Sequence, residues 1–450
     1  MKNFKKLYLL FFLILVIPNC KAQKNSSPSI AFTNITLIDV ENSLSLENMT
    51  IIINKDKIDA IFASNSQQIP NNCEIMNMTG KYIIPGLIDG HVHLFANINR
   101  NTDLKKLLFS GVTSLRDMGG DARVYQKLTT EIAEGRLQSP TIYYSATFFG
   151  SKFLRDPRTK FANKGINPGE APWMRVVTEK TNLKKVIAEA KEIGVTGIKL
   201  YASISPDLIK NISKEAHDQG LKVWSHSAIF PSKPSDAVKG NVDVISHSIG
   251  MIAEQAETIP NSFNDAIRNF IPIQDFKNAN VLSKPYVDLL QLMKSQGTIF
   301  EPTISSWRRI QPKNKSAKMN EKKTGPTSNM TQAKTKMNIP AMNKWANSIT
   351  NAAYMNDVTI AAGTDFTRTV RWIQDEIRFL VESGLTEIDA IKAATLNNAM
   401  VIGIDKTHGS ISVGKQADFV ILTKNPLENI ENIRSVELVY KNGKRYSVNE

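Results

Sequence analysis

Short apolar segments of this chain repeatedly end in a side chain that can bind a metal ion. In DGHVHL, the side chains of His91 and His93 point to one side of a strand, because side chains alternate along a strand and Val92 points the other way. Such a pair suits one cation. Four similar segments follow: GIKLYAS (197–203), WSHS (224–227), VISHS (244–248) and AAGTDF (361–366). The candidate metal ligands are therefore His91, His93, Lys199, His226, His247 and Asp365.

Strand-like and helix-like patterns alternate between about residue 84 and residue 400, which is typical of βα units. The segments 182–194 and 205–220 have helical apolar spacing and end in glycine, as many helices do. Eight apolar segments are predicted to be strands: 87–94, 112–118, 140–146, 197–202, 221–226, 242–247, 297–303 and 358–364. Eight such units predict a (β/α)₈ barrel, whose chemistry takes place at the carboxyl ends of its strands. The candidate ligands lie at those ends.

Both ends of the chain carry short segments with β-branched and alternating residues, at 29–40, 48–63, 418–423 and 436–446. Neither end has enough of them to form a core alone. We therefore predict an α/β protein in which a TIM barrel is inserted into a small β-sandwich that both termini build. The predicted domains are residues 29–84 with 402–450 for the sandwich, and residues 85–401 for the barrel.

The order of these motifs resembles the amidohydrolase superfamily, and within it the branch that contains imidazolonepropionase and the bacterial Xaa-Pro dipeptidases. The resemblance runs from about residue 30 to about residue 445. It is carried by IIPGLIDGHVHL, GVTSLRDMGG, GIKLYAS, SHS, ISHS, AAGTDF, AIKAATLNNAMVIGI and GSISVGKQADFVILTKNPL. One such motif is a weak signal, whereas all of them in family order are a specific one. The resemblance implies the same composite fold and a metal-dependent hydrolase.

The ligand set predicts two divalent ions. The two histidines of the first strand and Asp365 would bind one ion, and the histidines of the fifth and sixth strands would bind the other. A protonated Lys199 beside two cations is electrostatically unfavourable, whereas CO₂ converts a lysine into an anionic ligand with two oxygens. In superfamily members with this pattern the fourth-strand lysine is carboxylated, so the resemblance implies N6-carboxylysine at Lys199. The alternative is a lysine that contacts substrate beside one ion.

Zinc suits these nitrogen and oxygen donors, as do Mn²⁺, Co²⁺ and Fe²⁺. A hydroxide between two such ions would attack a carbonyl that one ion polarises. Asp365 would take the proton of that hydroxide and pass it to the leaving amine. Tyr201 emerges from its strand on the same side as Lys199 and is a candidate hydrogen-bond donor to the oxyanion.

Deamination is disfavoured. Deaminases of the superfamily usually have a glutamate three residues after the fifth-strand histidine and lack the fourth-strand lysine, whereas this chain has Ile229 and Lys199. We therefore predict an amidohydrolase that cleaves amide bonds in small substrates, above all dipeptides or N-acyl amino acids. The alternatives are hydrolysis of a cyclic amide, lactone or phosphotriester, and a catalytically silent, lipid-anchored binding protein.

The first 20 residues have the pattern of a lipoprotein-type signal peptide. Lys2, Lys5 and Lys6 precede an apolar stretch from Leu7 to Ile17 that is too short to span a bilayer. Cys20 follows it as the candidate lipidation site. We therefore predict an exported protein whose membrane association is through a lipid anchor; the alternative is cleavage after residue 22 or 23 and a periplasmic or secreted protein.

Basic residues concentrate in the segment 303–344, which contains ten lysines and arginines and one acidic residue, Glu321. It has no nucleic-acid motif and no interleaved aromatic residues, so no nucleic-acid partner is predicted. Because it follows the seventh strand, we predict that Arg308 and Arg309 bind the carboxylate of a substrate. The alternatives are a solvated surface and a patch attracted to anionic lipid. The sequence is also compatible with a homo-oligomer.

Overall fold

The computed structural model describes residues 29–94, 100–257, 259–260, 276–308, 338–366 and 372–447. Two bodies of secondary structure are present in these ranges: a parallel barrel and a sheet built from both ends of the chain. The predicted fold class is thereby confirmed. The predicted domain boundaries stay a prediction. Within the described ranges, no helix is both long and apolar enough to cross a membrane.

Seven parallel strands form most of the barrel, and each lies where a strand was predicted. They are Leu87–Val92, Val112–Asp117, Thr141–Phe149, Gly197–Leu200, Lys222–His226, Val244–Ser246 and Ile299–Glu301. Every residue of the first, second, fourth, sixth and seventh strands is buried. Parallel barrel strands are covered on both faces, by helices outside and by side chains inside, which explains why they read as continuous apolar runs.

The eighth segment closes the barrel through isolated bridges. Ile360 pairs with Phe300 of the seventh strand, and Phe366 pairs with Val92 of the first. The backbone N–H of Asp365 donates to the carbonyl of His91 at 2.7 Å. Closure of the barrel therefore brings the first and last motifs of the sequence together.

Helices alternate with these strands. Pro206–Asp218 is typical: the Ser205 side chain caps its first turn, Pro206 begins it, and its apolar side, including Ile209 and Ile212, is buried. The α-helices are Arg100–Phe109, Ala122–Ala133, Pro157–Phe161, Leu183–Glu192, Pro206–Asp218, Pro234–Lys239, Lys284–Gln296, Ser305–Arg308, Ile339–Met355, Ile373–Glu382, Glu387–Ala393 and Leu396–Ile402. Among the described residues, three 3₁₀ helices span Ser151–Arg155, Ser248–Gln255 and Ile430–Arg434.

The terminal sheet has eight strands, and most of its pairs are antiparallel. Its order is Lys444–Ser447, Val436–Lys441, Phe419–Leu422, Tyr82–Pro85, Ser29–Asp39, Leu44–Asn54 and Lys57–Ala63, with Cys73–Asn77 parallel to Ser29–Asp39. Aromatic rings from both ends of the chain pack in its core, with 5.3 Å between the centroids of Phe32 and Phe419 and 4.7 Å between those of Phe419 and Tyr440. The two termini therefore share one core, as predicted.

The terminal sheet leads directly into the first barrel strand. Tyr82–Pro85 pairs antiparallel with Phe419–Leu422, and Gly86 alone separates it from Leu87. A Cβ atom at Gly86 would lie 2.3 Å from Oγ1 of Thr113 on the second strand. Only glycine permits this close approach. Gly86 therefore allows the first barrel strand, which leads to His91 and His93, to begin beside the second strand.

Candidate metal centre

All six predicted ligands lie at or near the carboxyl ends of barrel strands. The first strand ends at Val92, so His91 and His93 flank its last residue. His226 ends the fifth strand, and His247 directly follows the sixth. The remaining two are Lys199 in the fourth strand and Asp365 in the closing segment. The barrel thus brings to one end residues that are scattered along the chain.

The first group of three can hold a cation. One donor atom from each of His91, His93 and Asp365 can be chosen so that all three lie within 4.8 Å of one another. Oδ1 of Asp365 is 3.3 Å from Nε2 of His93 and 3.7 Å from Nε2 of His91. This is the group that the sequence assigns to the first ion.

The histidines assigned to the second ion adjoin this group. The ring centroids of His226 and His247 are 4.7 Å apart, and those of His91 and His247 are 4.8 Å apart. Nδ1 of His247 lies 2.9 Å from Oγ1 of Thr303 and 4.0 Å from Oδ2 of Asp365. The four imidazoles and one carboxylate therefore form a continuous cluster.

Left-handed backbone marks three of the positions where the chain leaves a barrel strand. His247, Thr303 and Asp365 have φ angles of 79°, 48° and 49°. Such a conformation costs a residue other than glycine of order 1–3 kcal/mol and concentrates at functional sites. Two of these three residues are candidate ligands and the third contacts one of them, so the strain falls on the cluster itself.

Lys199 lies inside the barrel with no exposed surface. Its Nζ donates to Oγ of Ser246 at 3.2 Å. Burial lowers the pKa of Lys199 to about 7; Glu301 opposes this shift and Arg116 adds to it. The neutral amine is the form that reacts with CO₂, so this environment favours the chemistry predicted for Lys199.

Glu301 is a buried residue of the site that sequence reasoning missed. Its Oε2 atom lies 2.7 Å from Nδ1 of His91 and accepts a hydrogen bond from Ser246 at 2.9 Å. Its Oε1 atom accepts a 2.6 Å hydrogen bond from Arg116. Burial alone would raise the pKa of Glu301, but Arg116 and His91 outweigh it and hold the pKa at about 2. The sequence offered one signal for Glu301, namely that it is the single acidic residue within the apolar segment TIFEPTI.

The protonation states of the cluster fit a divalent ion. Burial lowers the pKa of His91 to about 4, and it also lowers the pKa values of His226 and His247, so these rings are neutral. Burial would raise the pKa of Asp365, but the hydrogen bond from His93 and the neighbouring imidazoles hold it below its usual range. Neutral imidazoles and an ionised carboxylate are the donor forms that zinc binds.

One imidazole nitrogen is already arranged for a metal ion. Nδ1 of His91 faces Glu301, and Nε2, on the other side of the ring, is buried without a hydrogen-bond partner in the described part of the chain. Buried polar atoms are normally satisfied, and a metal ion is one partner that would satisfy this nitrogen. Histidines that bind metals usually donate their other N–H to a carboxylate in this way.

Tyr201 and Arg158 lie beside the second histidine pair. The ring centroid of Tyr201 is 4.2 Å from that of His226, and Nη1 of Arg158 donates to the Tyr201 hydroxyl. Arg158 also forms two 2.8 Å hydrogen bonds to the carboxylate of Asp156, and its side chain is 45% exposed. Arg158 was not predicted, because it belongs to the loop after the third strand, which has no readable motif.

The basic segment is only partly described. Arg308 forms an ion pair with Glu382, and its guanidinium carbon lies 4.4 Å from the ring centroid of Phe379. The prediction for Arg309 lies outside the described residues, as do residues 310–337 and Cys20. The role of Arg308 as a carboxylate contact stays a prediction.

Two curated relatives share sequence with parts of the chain. The ochratoxinase of Aspergillus niger is 39% identical over 94 residues, which are 20% of this chain and 19% of the relative. The imidazolonepropionase of Idiomarina loihiensis is 20% identical over 225 residues, which are 50% of this chain and 52% of the relative. The chain thus spans about a fifth and about half of the lengths of these two relatives.

A solved structure of a Xaa-Pro dipeptidase with bound methionine in the active site has the same fold, with a TM-score of 0.69 and 20% identity. That likeness covers 93% of this chain and 100% of the other. The model of the amidohydrolase family matches residues 82–446. The prediction of this superfamily is confirmed, and the chain belongs to the amidohydrolase family, which supports the prediction of a hydrolase acting on carbon–nitrogen bonds.

Proposed function

We propose that this protein is an exported, metal-dependent amidohydrolase that cleaves the amide bond of N-acyl amino acids or dipeptides with a free carboxylate. The observation that carries the proposal is the cluster of His91, His93 and Asp365 directly beside His226 and His247. The cluster has the donor types of a binuclear hydrolase site. It is accompanied by a buried lysine, Lys199, whose motif lies in the sequence between that of His91 and His93 and those of His226 and His247.

Each ion has its own ligands in this proposal. His91, His93 and Asp365 would hold the first ion, and the other two histidines would hold the second. Lys199, as N6-carboxylysine, would be an anionic ligand to both. The complete burial of Lys199 supports this assignment, because a buried protonated amine beside two cations is far more costly than a buried carbamate that binds them.

When bound, the two ions supply a hydroxide nucleophile and polarise the scissile carbonyl. The two oxygens of Asp365 face different imidazoles, with Oδ1 near His93 and Oδ2 nearest His247. One oxygen therefore serves as a ligand, and the other accepts a proton and transfers it to the leaving nitrogen. Protonation of that nitrogen is needed because an amide anion is a poor leaving group.

Arg158 and Tyr201 support a substrate with a free carboxylate. The Arg158 guanidinium is held by the Asp156 carboxylate and donates to the Tyr201 hydroxyl, next to His226, and its side chain is 45% exposed. It places a positive charge beside the second histidine pair, and such a charge would attract a substrate with a free carboxylate. The names of two similar proteins, an ochratoxinase and a Xaa-Pro dipeptidase, are also those of hydrolases, and this supports an amide substrate.

The experiment that tests this function is a hydrolysis screen with protein loaded with Zn²⁺, Mn²⁺ or Co²⁺. The substrates are N-acyl amino acids and dipeptides, each with its C-terminally amidated counterpart, together with lactones, cyclic amides and phosphotriesters. We expect release of a free amine from the free-acid amides. Turnover of the lactones or phosphotriesters alone would contradict the proposal, and so would metal-loaded protein that binds N-acyl amino acids and cleaves none of the substrates.

A further inference from the structure

A buried ion pair lies inside the barrel next to the candidate ligands. Arg116 on the second strand and Glu301 on the seventh are completely buried and 2.6 Å apart. Replacing a buried ion pair with apolar residues of similar volume is often neutral or stabilising, so stability alone is a weak reason for having one. The other contacts of Glu301 provide a stronger reason.

Oε2 of Glu301 contacts one candidate ligand directly and a second one through a serine. It lies 2.7 Å from Nδ1 of His91, a ligand of the first ion. It also accepts a hydrogen bond from Oγ of Ser246 at 2.9 Å, and the same Oγ accepts one from Nζ of Lys199 at 3.2 Å. A single carboxylate oxygen thus connects His91 with Lys199.

The carboxylate is held in this position by its surroundings. A Cβ atom at Gly90 would lie 2.8 Å from Oε1 of Glu301, and one at Gly363 would lie 3.1 Å from it, so the two glycines make room for this oxygen. Arg116 is fixed in turn by the carbonyl of Gly90 and by the ring of Trp224, whose centroid is 4.5 Å from the guanidinium carbon. These contacts leave Glu301 little freedom to turn.

We propose that Glu301 is a positioning residue of the metal centre that couples His91, through its Nδ1, to Lys199, through Ser246. An ionised carboxylate only accepts hydrogen bonds, so His91 must carry its proton on Nδ1. Nε2 then keeps its lone pair for the first ion. For the same reason Ser246 must donate to Glu301, which leaves an oxygen lone pair for Nζ of Lys199.

The contact with Ser246 persists when Lys199 is carboxylated. The lone pair of Nζ forms a bond to the carbon of CO₂, one C=O electron pair moves to oxygen, and one N–H proton leaves to solvent. One hydrogen stays on the nitrogen and donates to Ser246. Because this bond would restrict the rotation of the nitrogen, it would also restrict the orientation of the two carbamate oxygens.

The test compares Glu301→Gln and Ser246→Ala with wild type and with Asp418→Asn. Asp418 is a buried carboxylate of the terminal sheet, where it accepts a hydrogen bond from the backbone of Asn442, so it is a matched control away from the metal centre. Zn²⁺ affinity is measured by competition with a chromophoric chelator. The carbamate is measured by NMR after loading with ¹³C-bicarbonate, and both readouts are taken on protein whose fold is verified by circular dichroism.

We expect Glu301→Gln to weaken Zn²⁺ binding by about 10- to 100-fold, which is typical for the loss of a hydrogen-bond partner of a metal ligand. Ser246→Ala should lower the carbamate signal more than it lowers binding of the first ion, and Asp418→Asn should change neither. Wild-type affinity in Glu301→Gln together with a wild-type carbamate signal in Ser246→Ala would overturn the inference. A residue that only stabilises the fold would change the melting temperature and neither readout.

If Glu301→Gln alone does not fold, the double variant Glu301→Gln/Arg116→Gln also removes the charge of Arg116, which Glu301→Gln leaves buried and unpaired. If that variant also fails to fold, the test depends on Ser246→Ala, which removes a single hydroxyl. An unchanged carbamate signal in Ser246→Ala overturns the coupling, and a reduced signal supports it.

The inference rests on the proposed metal centre. Wild-type protein that binds no divalent ion means that the proposed function fails, whereas normal wild-type binding with unaffected variants rejects the role of Glu301 alone.

Discussion

Nε2 of His93 and Oδ1 of Asp365 lie 3.3 Å apart, although one follows the first barrel strand and the other belongs to the segment that closes the barrel. An ion bound to both residues would link the first barrel strand to the segment that closes the barrel. Ions that bind the folded state and not the unfolded chain stabilise the protein, by about 2.7 kcal/mol per ion at a free concentration of 100 times Kd.

Removal of the metal should therefore lower the melting temperature of the wild-type protein. The expected result is a drop on addition of a chelator, reversed by excess Zn²⁺, and a much smaller drop in His91→Ala. His217→Gln is the control, since His217 pairs with Asp243 away from the cluster and should keep the full chelator effect. An equal chelator response in His91→Ala and wild type would show that the stabilising ion binds elsewhere.

Asp365→Asn should remove nearly all activity while part of the metal stays bound. The amide can still offer one oxygen to the ion but cannot accept the proton that the leaving nitrogen needs. The measurement is kcat together with metal content on the same sample. A variant that keeps more than about a tenth of the wild-type kcat, a barrier change below about 1.4 kcal/mol, rules out the proton-transfer role.

Arg158→Ala should raise KM for free-acid substrates by roughly 10- to 150-fold. This range corresponds to the loss of about 1.5–3 kcal/mol of charged hydrogen bonding. Amidated versions of the same substrates should be little affected. Arg308→Ala is the comparison, because Arg308 forms an ion pair with Glu382. A larger selective effect in Arg308→Ala than in Arg158→Ala would assign carboxylate binding to the basic segment instead.

Cys20→Ala should move the protein from the membrane fraction to the periplasmic or medium fraction. The proposed anchor combines several acyl chains, and stable membrane attachment requires more than one. Fractionation is read by immunoblot, with the mature N-terminus determined by mass spectrometry. An unchanged distribution of Cys20→Ala, with a wild-type N-terminus at residue 24, would favour cleavage by an ordinary signal peptidase and no anchor.

Much of the candidate site was predictable because its candidate ligands lie in local sequence patterns. The alternation of His91 and His93 around Val92 and the apolar run before each ligand are properties of a few neighbouring residues, and they gave the strand positions directly. Closure of a barrel then requires that all strand ends meet at one end. This is why residues as distant as His91 and Asp365 could be grouped before their contact was seen.

Glu301 and Arg158 could not be predicted in the same way, because their roles depend on contacts across the barrel. The hydrogen bond between Glu301 and His91 joins residues 210 positions apart, and although Glu301 is an acid within an apolar run, nothing next to it identifies His91 as its partner. Arg158 reaches Tyr201 from a loop whose local helices do not repeat the barrel pattern. Long-range side-chain contacts of this kind depend on the whole fold rather than on spacing.

The measurement that tests the central claim most directly is the metal content of purified wild-type protein and of Lys199→Ala. With two groups of ligands bridged by a carboxylated lysine, wild type should carry close to two divalent ions per chain. Lys199→Ala should carry fewer and show no turnover, and bicarbonate with short carboxylic acids should restore part of both. A single tightly bound ion in wild type, unchanged in Lys199→Ala, would contradict the binuclear centre.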